Sequence, residues 1–166
     1  MFLKYLSQDN SFGTRNFSIF EDILNDGLNL RVKVTGRSMS PFLKGGEILT
    51  IKKVPCHLLH RGDLIFFKNR YNSHTIHRII KKRLAKNGMT IFQTKGDALI
   101  AFDAPVHETE VIGKVCRIDK IASNDKSKII NMESDILKKW NYLIAFTGLV
   151  KSKVYSGIFR FYKCQE

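Results

Sequence analysis

The sequence predicts a mainly β domain with a short helix at its front and a helical tail. Three patterns predict it. Leu28, Leu30, Val32 and Val34 alternate with Asn29, Arg31, Lys33 and Thr35, which buries one face of a strand and leaves the other wet. Two further runs, "GEILTIKKV" and "GDLIFFK", each open on glycine plus an acid and are rich in β-branched or aromatic side chains. The segment "HTIHRIIKKRLAKNGMTIFQTKGD" has two apolar-patterned arms around Asn87-Gly88, the pair favoured in a two-residue type I′ hairpin turn. With 166 residues, 43% of them hydrophobic, one folded unit whose core needs no metal or disulfide staple is expected.

In chain order, "SIFEDILNDG" reads as an amphipathic helix. Ser18 and Glu21 have capping-box spacing, Phe20, Ile23 and Leu24 share a face, and Gly27 can close the end. The strand from Leu28 then delivers the chain to Gly36 and Ser38. After the hairpin, "VIGKVCRIDKI" supplies one more strand. Beyond it Ile136, Trp140, Leu143, Ile144 and Thr147 fall at helical spacing with Gly148 as the expected stop, and a segment of interleaved basic and aromatic residues follows. This gives an N-terminal helical segment over 1–27, a β-domain over 28–121 and a helical, basic tail over 122–166.

Formal net charge is +13, a balance that suits nucleic acid, an anionic membrane face or an acidic peptide. Between Arg61 and Lys95 nine Lys/Arg face Asp63 alone, and from Lys138 onward six face Glu166 alone. A solvated basic surface accounts for this without nucleic acid, which is not the expected partner. Met1–Phe12 carries charge and polarity too early for a signal-peptide apolar run, so no secretory leader is expected. The longest apolar run of the tail, Trp140–Val150, lies between two lysines and falls well short of the roughly 20 residues a spanning helix needs. Cys56, Cys116 and Cys164 are odd in number, widely spaced and outside any metal-ligand pattern, which reads as reduced thiols in a cytoplasmic chain. The tail packs on the sheet, or lies on a membrane surface through Trp140, Tyr142 and Phe146 with neighbouring lysines.

The chemistry centres on "VTGRSMSPFL". Taken alone, Ser38 between Gly36 and Pro41 is a turn residue, because an active serine also needs a base and a group to orient that base. A two-residue turn at Asn87-Gly88 pairs Lys86 with Met89, and continuing that register sets His77 opposite Ala98 and Arg78 opposite Asp97. Directly paired residues share a face, so Asp97 faces Arg78 in a structural role and His77 points to the other side. Asp103, six residues on, is within reach of His77 if the loop "ALIAF" curls back. His57, His60, His74 and His107 are read as ordinary exposed or core histidines, Met39 and Pro41 as packing and turn residues that hold Ser38, and Lys52, Lys81 and Lys82 as surface charge.

The segments "GRSMSP", "RGDLIFF", "HRII", "TKGDALIAFD" and "VIGKV", in this order and spacing, resemble the boxes of the type I signal peptidase family, which shares its fold with LexA-type self-cleaving repressors. The likeness runs from Val32 to about Ile118. It implies a coiled β-barrel and a serine endopeptidase that needs no metal or cofactor. Bacterial members place a lysine base just before the arginine of the fourth box; His77 stands there, as in the ER and archaeal branch. The resemblance therefore maps nucleophile, base and acid onto Ser38, His77 and Asp103, with Asp97 as a supporting residue beside Arg78. It also implies that the Ser38 amide donates to the oxyanion, while Gly36 occupies the place where many signal peptidases carry a second, hydroxyl donor.

The expected substrate is an extended peptide or preprotein bound along a strand edge, such as a signal or leader peptide. Two other classes stay open: a self-cleaving repressor-type regulator, for which residues 1–27 are too short to hold a complete helix-turn-helix, and a basic binding module that has lost the reaction.

Overall fold

A computed structural model describes residues 16–120 and 128–163, with side chains placed over 19–120 and 128–152. The boundary expected at 121/122, Cys164 and the side chains of the tail beyond residue 152 lie outside the described residues. Helix α1 spans Asn16–Asn25, so Ser18 falls inside its first turn and not at its head. The apolar stripe fixes which face packs but not where the helix begins. Its end closes as a Schellman motif, with the Leu28 amide on the Ile23 carbonyl and the Gly27 amide on the Leu24 carbonyl, both at 3.2 Å.

Eight strands form one antiparallel sheet: β1 (Leu30–Lys33), β2 (Ile48–Lys52), β3 (Leu64–Lys68), β4 (His74–Leu84), β5 (Thr90–Lys95), β6 (Val106–His107), β7 (Val111–Lys120) and β8 (Lys128–Asn131). Their order is β1-β2-β7-β3-β4-β5-β6, and β8 pairs with the end of β7. The closed barrel expected from the sequence is corrected: the sheet is open. Closure needs the end strands to share a ladder, and the end strands here have four and two residues and do not pair with each other among the described residues. The central strand β3 is buried on both faces. Leu64 and Phe66 join one core with Leu24, Met39, Leu43, Leu49 and Ile118, whereas Ile65 and Phe67 join another with Leu59, Ile79, Phe92 and Val106.

The β4–β5 hairpin differs from expectation in its turn. The Ala85 amide donates to Met89 O at 2.8 Å and the Gly88 amide to Ala85 O at 3.0 Å, which makes a three-residue loop of Lys86, Asn87 and Gly88. A type I′ turn needs positive φ at both central residues; here Gly88 has it (80°) and Asn87 does not. A bulge between Ile79 and Lys81 shifts the register again, so Arg78 pairs with Lys95 and not with Asp97, and His77 lies beyond the paired part of β5. Across the other edge of β4, His77 pairs with Ile65 and Arg78 with Leu64.

Helix α2 spans Asp135–Lys163 and runs straight through Gly148, the expected stop. A lone glycine costs a helix interior only about 1 kcal/mol, and its carbonyl is held here by the Lys95 ammonium at 2.9 Å. The inner face of α2 buries Asn141, Ala145 and Ser152. It comes so close to the β2–β3 connection that a Cβ on Gly62 would lie 2.7 Å from the backbone of Asn141 and Tyr142.

Candidate active site

Ser38 sits in the connection between β1 and β2. The ladder of those strands extends to Val34, whose amide donates to Glu47 O and whose carbonyl accepts from Gly46. Between these ends, the Ser40 amide bonds the Arg37 carbonyl and the Leu43 amide the Met39 carbonyl, while the Met39 and Leu43 side chains sink into the core. The Glu47 carboxylate caps the return, accepting the Lys44 and Gly45 amides at 2.8 Å each. Burial opposes its ionisation, but these amides and the Lys120 charge hold its pKa below the ordinary carboxylate value. Pro41, preceded by a cis peptide bond, turns the exposed crown of the loop.

The strands bring a histidine to this serine. His77 on β4 is 5% exposed, and its Nε2 lies 2.9 Å from Ser38 Oγ. Its Nδ1 lies 2.7 Å from Asp103 Oδ2. A carboxylate only accepts, so Nδ1 carries the proton toward Asp103 and Nε2 is left to accept from the serine hydroxyl. Asp103 is fixed on every side: its amide donates to Thr94 O at 3.0 Å, the Thr94 hydroxyl donates to Oδ2 at 2.7 Å, and the Gln93 amide group donates to its carbonyl at 2.6 Å. Partial burial pushes the Asp103 pKa up, but the imidazole and the Thr94 hydroxyl outweigh it and hold the carboxyl below its ordinary range. A cavity of about 230 Å³ is lined by Asp103 together with Phe67, Lys68, Arg70, Tyr71 and Phe102 among others.

Asp97 does not touch His77. It receives the Arg78 guanidinium on both oxygens, at 2.8 and 2.7 Å, and the remaining arm of Arg78 donates to Gly62 O at 2.9 Å and Asn141 Oδ1 at 2.8 Å. This ion pair is almost wholly dry, with side-chain exposures of 0% for Arg78 and 7% for Asp97. It forms although the two residues are not cross-strand partners, because Asp97 lies just past β5 in the loop that turns back over the sheet. The same loop holds the serine, since the Ala98 amide donates to Ser38 O at 2.9 Å. Gly96 packs between the two functional groups: a Cβ there would lie 2.6 Å from Ser38 O and 3.0 Å from His77 Nε2.

The other residues singled out in the sequence stand apart. His74 lies between Phe20 and Phe66, and burial lowers its pKa. The Cys56 and Cys116 thiols are free, and burial raises the pKa of each. Lys82 caps the carbonyls of Cys56, His57 and Leu59. Gly36 is exposed with open space around its α-carbon and brings no side-chain donor toward Ser38. No group of three or more His, Cys, Asp or Glu suited to a metal occurs among the described residues.

Thr94, Gln93 and Asn141 do not stand out in the sequence, and Gly96-Asp97 reads there as a turn pair. Thr94 and Gly96 belong to "TKGD" itself, so the alternation of β5 offered a signal for Thr94, which points to the same side as its partner Ile79. Asn141 had only a weak signal, a polar residue inside an apolar helical run. Comparison with known proteins gave no matching family model and no related curated sequence.

Proposed function

We propose that this protein is a serine endopeptidase of signal-peptidase type, with the strand arrangement that family shares with LexA-type repressors, cutting a signal- or leader-type peptide held in extended form. The observation that carries the reading is the continuous chain from Ser38 Oγ to His77 Nε2 and from His77 Nδ1 to Asp103, at 2.9 and 2.7 Å. Its spacing suits proton transfer from serine to imidazole at one end and orientation of the imidazole by the carboxylate at the other.

In this mechanism Ser38 Oγ attacks the scissile carbonyl as His77 Nε2 takes the hydroxyl proton. Asp103 keeps the receptive tautomer in place and stabilises the imidazolium. The imidazolium then protonates the leaving amine, the peptide bond breaks, and water activated by the same imidazole hydrolyses the acyl ester. The Ser38 amide takes part in none of the backbone bonds that close its loop among the described residues, which leaves it available for the oxyanion. β1 is an end strand whose chain runs directly into the Ser38 loop, so an extended peptide can add along its outer rail.

The test is mass spectrometry of a peptide library after exposure to wild-type and Ser38→Ala protein. Cleavage by the wild type alone is the expected result; equal cleavage by both sinks the assignment.

A further inference from the structure

Helix α2 is amphipathic twice over. Its inner face is tied to the sheet by Asn141, the Gly148 carbonyl and Ser152, whose hydroxyl bonds the Ile100 carbonyl. At about 100° per residue, Ile136, Trp140, Leu143 and Val150 fall on the opposite side, with Phe146 beside them. All five are exposed, Ile136 at 73% and Trp140 at 60%. Exposed Lys138 and Lys151 lie toward the two borders of this apolar stripe, and exposed Lys139 falls within it. The acid of the first turn, Asp135, reaches Lys138 at 3.7 Å with both side chains largely in water, a pairing of little strength. From Ile136 to Lys163 the helix carries six Lys/Arg and no acid.

We infer that this outward face docks on the surface of an anionic bilayer, with α2 lying in the plane of the interface and Trp140 seated at the headgroup level. An apolar stripe of Trp, Phe and Leu bordered by lysines is the pattern of an interfacial helix. Charge chooses between occupants: a second copy of this face brings the same lysines together, whereas acidic headgroups complement them. The helix lies on the membrane and does not pass through it, since no helix among the described residues is long and apolar enough to cross. Its inner-face bonds hold α2 in place before docking, so no folding step has to accompany it. The serine chemistry plays no part in this inference.

Trp140 is the only tryptophan of the chain and therefore reports on this face alone. The full chain is titrated with vesicles of phosphatidylglycerol and phosphatidylcholine in equal parts, and with pure phosphatidylcholine. The expected result is a blue shift of Trp140 emission and co-flotation with the anionic vesicles only, reversed by high salt. Neutralising Lys138, Lys139 or Lys151 to Gln should weaken partitioning about fivefold for each. Leu143→Glu with Phe146→Glu should abolish it, with unchanged circular dichroism showing that the fold survives. Ser38→Ala should bind as wild type does, so loss of peptidase activity and loss of docking remain separate results. Absence of a shift with either vesicle overturns the inference, as does equal binding to pure phosphatidylcholine. A dimer in sedimentation whose Trp140 emission is already blue without lipid assigns the face to a second copy and overturns it too.

Discussion

The Ala98 amide donates to the Ser38 carbonyl at 2.9 Å, so the loop after β5 holds the serine-bearing loop directly. One chain segment thus supplies the serine's backbone tether, the Asp97 carboxylate that neutralises Arg78, and the Asp103 carboxylate against His77.

Gly96 is where that segment passes between the two groups. A methyl there collides with Ser38 O and crowds His77 Nε2, and the nearer contact is backbone that cannot swing away. Gly96→Ala is expected to push serine and imidazole apart and cut turnover by about 100-fold, the usual scale for a displacement near 1 Å. Assay of the purified variant beside Gly148→Ala, whose added methyl meets nothing closer than 3.5 Å and whose φ is not positive, checks that the loss comes from crowding at the site.

Asp103→Asn keeps the size of the side chain and removes the charge that selects the tautomer. Turnover should fall on the order of 10,000-fold with substrate binding little changed. Thr94→Val removes one hydrogen bond to the same oxygen and should cost about 1.5–3 kcal/mol of stability, measured by urea unfolding, with a smaller effect on rate. Equal loss of turnover in the two variants would show that Thr94 does more than support the carboxylate.

Arg78→Ala strands a dry Asp97 carboxylate and two buried acceptors, and is expected to destabilise the fold by about 3–5 kcal/mol. Arg78→Lys should recover little, because an ammonium cannot reach both oxygens of Asp97 together with Gly62 and Asn141. Asn141→Ala should cost less, about 1–3 kcal/mol. Thermal unfolding of the three variants orders them.

The pH dependence of stability carries the signature of Glu47. Its folded pKa is depressed below the unfolded value, so its contribution is full above the unfolded pKa and is lost as pH falls through the folded one. Stability should therefore rise with pH across the acid range, and Glu47→Gln should flatten that rise. Unfolding midpoints measured at several acidic pH values give the comparison.

Much of the fold was legible because it rests on short-range pattern. The alternation in Leu28–Val34 and the apolar run of "LIFF" mark strands wherever they fold, and the five residues between Asp97 and Asp103 suffice for the chain to return to His77. Register was not legible. Asn87-Gly88 suits a two-residue or a three-residue loop, and the bulge at Ile80 leaves no mark in composition; yet each moves the pairing by one residue. Arg78 meets Asp97 all the same, since a long guanidinium side chain tolerates a shift that a short one does not. Strands β6 and β8 are too short to show a period, and β8 borrows its order from β7. Gly148 misled because a stop signal is a local preference, and here Lys95 holds its carbonyl within a helix that runs on to Lys163.

One guanidinium ties together segments far apart in the chain, at Gly62, Asp97 and Asn141. α2 cannot lift off the sheet without uncovering a cation whose counter-charge belongs to the loop that grips the serine. Undocking of the helix and disassembly of the hydroxyl–imidazole pair are consequently expected to be coupled, and slow amide exchange in α2 and at Ala98 should decay together.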